Sequence, residues 1–203
     1  MTTEEMEGRL RRLEDIHEIN NLQGRYNHYL SMLIFDKIVD QFAKKDPNVK
    51  VEIADSGVYE GIEGIKRLFN VFKSRLFARK GVSPLMMVMT PVIEVSRDGK
   101  TAKGMWHSFG CYTTVSEETG QCAAWVQGKY DNEFVKEDGK WKFRSLRWYV
   151  NFRSPFDQGW VKKPIVSSMT FSDVKPDKPS TYYMPYNPDA FNTFLPEPPE
   201  AFE

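Results

Sequence analysis

The sequence is poor in the residues that usually mark a site. It holds two cysteines, Cys111 and Cys122, and three histidines, His17, His28 and His107. Two thiols cannot build a zinc cage or a disulfide scaffold, and no H-x-x-x-H spacing occurs, so no metal is expected. The two cysteines flank a predicted hairpin turn and could face each other across it; buried thiols in a reducing compartment are the simpler reading. An excess of either charge is also missing: 28 Lys and Arg stand against 28 Asp and Glu, for a formal net charge of zero. A nucleic-acid or anionic-membrane partner therefore loses its electrostatic support. No apolar run approaches the ~20 residues that span a bilayer. The opening MTTEEMEGRLRRLEDIHE is charged and lacks an apolar signal core, and reads as a mature, cytoplasmic N-terminus.

What is present is pattern. At 203 residues the chain is long enough to bury a real core in one domain. Residues 5–33 carry apolar groups at Met6, Leu10, Leu13, Ile16, Leu22, Tyr26, Leu30 and Leu33, close to the three-four rhythm of an amphipathic helix. A short helix is predicted over 36–44, ended by Asp46-Pro47. Two short extended pieces, VKVEIAD and Ser56 to Gly61, precede a third helix over 62–77. The texture then changes to period two, with strands over 85–97, 101–115, 121–136 and 141–153. RDGK, SEETG and EDGK supply the turns between them. Helices first and a meander second argue for an α+β fold, with helices packed on one face of a curved antiparallel sheet.

The chain changes character after residue 154. Residues 155–203 hold most of the prolines and have no amphipathic period, too little aliphatic content for a second domain. Tyr182, Tyr183, Tyr186, Phe191, Phe194 and Leu195 are nevertheless too apolar for a plain disordered tail. An extended arm, lying on the body over residues 1–154 or on a neighbouring subunit, is expected.

Five strings taken in order, LQGRYNHYLS, DKIVDQFAKK, GVYEGIEGIKRLF, TPVIEVSRDGKTAKGMW and GKYDNEFVKEDGKWKF, resemble the SnoaL-like branch of the NTF2-like superfamily. The resemblance covers about residues 10–153. It implies a cystatin-like cone, in which the sheet wraps around three N-terminal helices and encloses a pocket for a small hydrophobic ligand. Members of the superfamily include scytalone and bile-acid dehydratases, ketosteroid isomerases, polyketide cyclases, cofactor-free lyases and silent binding modules. Fold alone does not choose among them.

The resemblance and the strand parity together nominate pocket residues. Tyr26 matches a tyrosine that hydratase-type members use to hold a substrate oxygen, and Tyr29 ends the same helix. Tyr59 matches a second pocket tyrosine. A phenol suits this task because it donates a hydrogen bond while staying neutral at pH 7; each of the three could equally be a packed core aromatic. Where dehydratase-like members carry an Asp and a His, this chain has Ser31 and the pair Met86 and Met87, so the usual base pair is missing and the pocket is greasier. His107 is the remaining candidate base, with His28 behind it. If Gly128 and Tyr130 face inward, pairing 107 with 128 points His107 into the pocket, whereas a one-residue slip points Trp106 in instead. Ala102 and Lys103 favour the slip. Period two from Trp141 and Phe143 brings Arg147, Tyr149 and Asn151 to the same side. Arg147 could then bind a substrate oxyanion, or simply pair with Asp55 or Asp131. Asp36, Asp40 and Asp55 are weaker candidates near the rim.

These readings favour a cofactor-independent lyase or isomerase acting on a small hydrophobic or aromatic ring compound by general acid–base catalysis. A binding module without chemistry is the alternative. A third is an oligomerisation domain, like the β-subunits of ring-hydroxylating oxygenases. Apolar groups on the sheet's outer face, Trp125 or Trp148, point to a homo-oligomer, dimer or trimer.

Overall fold

The alternating half of the chain forms a long meander, and the helical half lies against it. The computed structural model describes residues 1–116 and 120–202, so the centre of the SEETG turn lies outside the described residues. Helix α1 (Thr3–Ser31) starts at a capping box, with Thr2 Oγ1 accepting from Glu5 N at 3.1 Å and Thr2 N donating to Glu5 Oε2 at 2.6 Å. After it come α2 (Phe35–Val39), β1 (Lys50–Ile53), β2 (Val58–Glu60) and α3 (Gly61–Val71), which runs on into a π-helical turn over Phe72–Leu76. The meander is β3 (Ser83–Val95), β4 (Thr101–Ser116), β5 (Gly120–Glu137) and β6 (Lys140–Pro155), followed by the one-turn α4 (Gly159–Lys162). The sheet order is β2-β1-β6-β5-β4-β3. It is mixed rather than wholly antiparallel, because β1 leaves the helical half and lies parallel to β6, Lys50 opposite Ser145. Among the described residues no helix is long and apolar enough to cross a membrane.

Register decides which side chains meet the helices. On β4 and β5 the pairing sets Trp106 opposite Tyr130 and His107 opposite Lys129. Ala102, Gly104, Trp106 and Ser108 are buried while Lys103 and His107 are exposed, so the slipped register holds. Gly104 makes room for the indole: a Cβ there would lie 2.5 Å from the Trp106 ring.

Strand β6 does not keep one parity. A bulge opposite Glu133/Phe134 and another opposite Gln127/Gly128 each insert a residue. Between them Leu146, Trp148 and Val150 point inward, and Arg147 and Tyr149 point outward. Beyond the second bulge Arg153 pairs with Val126 on the inner side. Gly128 sits at that bulge because a Cβ would come within 2.1 Å of the Tyr149 carbonyl oxygen. The same parity corrects the outer face: Trp148 is buried and donates from Nε1 to Ser108 Oγ at 2.9 Å. Trp125 does lie outside, stacked on Phe109 at 5.5 Å. Cys111 pairs with Trp125 and Cys122 with Thr114, three positions apart, so the two thiols do not face each other and both are free.

The core is aromatic. Tyr26 meets Tyr130 and Phe143 edge-on at 5.8 Å each, and Phe143 reaches Phe134 and Phe42 at 5.2 and 5.4 Å. The first turns of α1 contribute nothing to it: Met6, Leu10 and Leu13 are 52, 56 and 64% exposed. The apolar rhythm there describes a face that this chain leaves uncovered.

The segment after β6 lies on the body of its own chain. Backbone bonds link Arg153 N to Pro164 O at 2.8 Å, Val58 N to Lys178 O at 2.8 Å and Tyr186 N to Asn151 O at 2.6 Å. Asp177 takes Glu60 N and Arg67, and Thr181 gives both its N–H and its hydroxyl to the buried Glu52. Met169 is buried by the same path.

Candidate functional site

Between α1, the π-helical turn and the inner face of the sheet lies a cavity of about 90 Å³. Leu30 and Tyr26 line it from α1, Phe72 and Phe77 from the π turn, Met86 from β3, Val126 and Tyr130 from β5, Trp148 and Arg153 from β6, and Met169 from the C-terminal segment. Leu85 and Cys111, which are exposed, mark where it reaches the surface. Its volume is well below the ~300–1,000 Å³ of drug-sized pockets, which limits an occupant to one ring or a short chain. Among the described residues that line it there is no histidine and no carboxylate. Nor does any group of His, Cys, Asp or Glu among the described residues cluster as metal ligands would.

The polar lining falls into two groups. At the inner end Tyr26 and Tyr130 meet edge-on, ring centroids 5.8 Å apart. Tyr130 Oη accepts from Asn27 Nδ2 at 3.4 Å. Behind it Asn27 Oδ1 accepts from Gln23 Nε2 at 2.8 Å, and Gln23 Oε1 from Asn132 Nδ2 at 2.7 Å. Asn132 in turn accepts from Arg147 N at 3.0 Å. Burial raises both phenols well above their usual range, so each stays protonated and serves as a donor, not a base. This buried amide chain has a visible sequence sign only in Gln23 and Asn27, four apart on the helix face that also carries Tyr26. At the other end stand Tyr112, whose hydroxyl is buried without a partner, and Arg153, which is 5% exposed.

Of the candidates from sequence, Tyr26, Tyr130 and Met86 meet in this cavity. Trp106 points inward but packs beside it, on Phe134, with Nε1 donating to Asn20 Oδ1 at 3.1 Å. His107 and His28 are exposed, on the outer face of β4 and the outer side of α1, and neither lines the cavity. Met87 is 50% exposed for the same reason of parity. Tyr29 is half-buried under Lys37, whose Nζ lies 5.4 Å from its ring. Tyr59 is buried between β1 and the C-terminal segment, and its hydroxyl donates to Val174 O at 3.0 Å. The β6 bulge takes Arg147 and Tyr149 to the outer face, where Arg147 lies 3.5 Å from Glu52 and 3.6 Å from Asp131 and donates to Tyr149 Oη at 2.9 Å. Asn151, at the second bulge, donates to Gln127 Oε1 at 2.7 Å. Asp36 and Asp40 face solvent with Lys73 and Lys44, and Asp55 accepts from Ser168 Oγ and Met169 N. Arg153 and Tyr112 had no part in the sequence reading: the two bulges cancel, so period two from Trp141 does carry Arg153 to the inner side, but no local pattern shows that its Nε and the Tyr112 hydroxyl go unpartnered.

A family model described as a SnoaL-like domain matches residues 11–147. The chain belongs to the SnoaL-like family. Solved structures agree on the fold. A hexachlorocyclohexane dehydrochlorinase, LinA type 3, from Novosphingobium barchaimii is 19% identical, covering 72% of this chain and 93% of its own at a TM-score of 0.59. A candidate scytalone dehydratase from Novosphingobium aromaticivorans is 18% identical, with coverages of 72 and 90% and a TM-score of 0.58. An NTF2-like protein with a cystatin-like fold from the same species is 18% identical, with coverages of 73 and 90% and a TM-score of 0.53. No curated protein matches the sequence. Within this SnoaL-like cone the two departures noted in the sequence have distinct surroundings. Ser31 is half-buried as the last residue of α1, and Met86 puts a thioether into the cavity wall.

Proposed function

We propose that this SnoaL-like chain binds a small hydrophobic compound of about one ring in the cone and holds its oxygen with phenol donors. One observation carries the reading: an apolar cavity ends on Tyr26 and Tyr130, kept neutral by burial, with no base among the described lining residues. The neighbours whose printed names are dehydratase and dehydrochlorinase support a ring-sized ligand. The lyase or isomerase expected from sequence would move its proton through His107 or His28, and both lie outside the cavity. Turnover of a ring compound that stops on His107→Ala would restore that reading.

The binding test uses methionine methyl NMR, because the chain carries its own probes and controls. Met86 and Met169 line the cavity, and Met87 and Met89 stand exposed on the outer face. Benzyl alcohol is expected to shift the first pair saturably and leave the second pair in place, and in Met86→Trp, which fills the space, the remaining Met169 signal is expected not to move. Uniform shifts, or none at millimolar ligand, would sink the proposal.

We also propose a homo-oligomer. Leu85, Met87 and Met89 along β3 and Met6, Leu10 and Leu13 on α1 leave two apolar rows exposed. A monomeric mass in sedimentation at micromolar concentration would contradict it.

A further inference from the structure

Arg153 is the unexplained charge of the cavity. Its side chain sits on the inner face of β6, 5% exposed, among Tyr112, Val126 and Met169. A buried guanidinium carries five donors and a full charge, and both need partners once water is excluded. Here one terminal nitrogen donates to Ser167 O, Nε is buried with no partner, and no carboxylate among the described residues pairs with it. Asp55 is already taken by Ser168 Oγ at 2.6 Å and Met169 N at 3.0 Å. The Tyr112 hydroxyl is the second orphan. Burial raises that phenol and the Arg153 charge opposes the rise, so the two groups lie within electrostatic reach. Arg147 six residues earlier makes the contrast: its guanidinium meets Glu52, Asp131 and Tyr149.

The geometry points to a ligand that carries a negative oxygen: we infer that the cavity takes a small aromatic or alicyclic carboxylate, its ring against Phe72, Met86 and Met169 and its carboxylate on Arg153 and Tyr112. The anion would supply the acceptors that Arg153 Nε and the Tyr112 hydroxyl lack, and charge-assisted bonds of this kind are the strong ones. The inference rests on the pocket reading above and adds the charge of the occupant to it.

The test compares benzoate with its neutral isostere benzamide on the full chain, read by the Met86 and Met169 methyl signals. Benzoate is expected to bind at least about ten-fold more tightly than benzamide, the scale of one hydrogen bond to a charged group. Arg153→Met is expected to bring the ratio to about one. Tyr112→Phe deletes an unpartnered hydroxyl, so it keeps the fold and reduces the ratio by a smaller factor; it decides the matter if Arg153→Met does not fold. Equal affinities in the parent protein, or a ratio untouched by these variants, would overturn the carboxylate while leaving an apolar pocket standing. If neither compound moves the Met86 and Met169 signals, the pocket reading fails together with it.

Discussion

Arg147 and Arg153 stand on the same strand, and the sheet treats them oppositely. Arg147 faces outward into a cluster of groups that answer its charge, roofed by the C-terminal segment: Glu52 takes Thr181, and Tyr149 packs against Tyr182 at 5.3 Å. Arg153 faces inward into an apolar cavity with one carbonyl for company. A single bulge separates them. A satisfied charge on the outer face is structural, and an unsatisfied one on the inner face is available for a ligand. The same division runs through β4, where Trp106 is core and the adjacent His107 is surface.

The sharpest way to break this comparison is to cut both faces of β4. Trp106→Ala is expected to cost about 3–5 kcal/mol, the usual loss for a fully buried large aromatic, because the indole is 1% exposed and its Nε1 is bonded to Asn20. His107→Ala should stay within about 0.5 kcal/mol, as surface changes do. Urea unfolding of the two variants measures both, and comparable losses would mean that the register is wrong. On the outer face Glu52→Gln should cost about 1–3 kcal/mol. The carboxylate is 4% exposed, accepts two bonds from Thr181 and faces Arg147. A double cycle with Arg147→Met would separate the ion pair from the tether to the C-terminal segment. Tyr59→Phe removes one bond, to Val174 O at 3.0 Å, for about 0.5–1.5 kcal/mol. It should speed hydrogen exchange around Asp177 while leaving Trp106 fluorescence unmoved.

Much of the architecture was legible because alternation and turn residues are local signals. The four meander strands and the Trp106 register follow from period two, with Ala102 buried and Lys103 exposed. Helix α2 is shorter than read, ending at Val39, since Gln41, Phe42 and Ala43 leave the helix to meet β6: Phe143 N donates to Gln41 O and Ala43 N to Phe143 O. The pocket was legible in part. Tyr26 and Tyr130 sit where helix and strand periods put them. The Arg153 and Tyr112 end was not: the bulges displace Arg147 and Tyr149 and cancel before Arg153, and what singles this end out, two polar groups buried without partners, has no local sign in the sequence. Leu146, Trp148 and Val150 do carry the trace of the bulges, an apolar row out of phase with Trp141 and Phe143. The exposed row Met6, Leu10 and Leu13 shows the other limit: amphipathic rhythm marks a face to be covered and is silent on what covers it.

The smallest expected effect tests whether the outer cluster is as well answered as it looks. Burial raises the Asp131 carboxyl above its ordinary value of 3.8, and the attraction of Arg147 does not make up the loss of water. Such an acid binds its proton more tightly folded than unfolded. Stability therefore falls as pH rises from the unfolded value through the folded one, and the cost is fully present at neutral pH. Asp131→Asn removes the ionisation, so it should raise stability at pH 7 by under about 1 kcal/mol, the ceiling for a partly screened pair. The gain should fade near pH 3, where the Asp131 carboxyl is largely protonated in both the folded and the unfolded chain. A loss at pH 7 would mean that Arg147 needs two acids rather than Glu52 alone, and that the outer arginine is more tightly answered than its distances of 3.5 and 3.6 Å suggest.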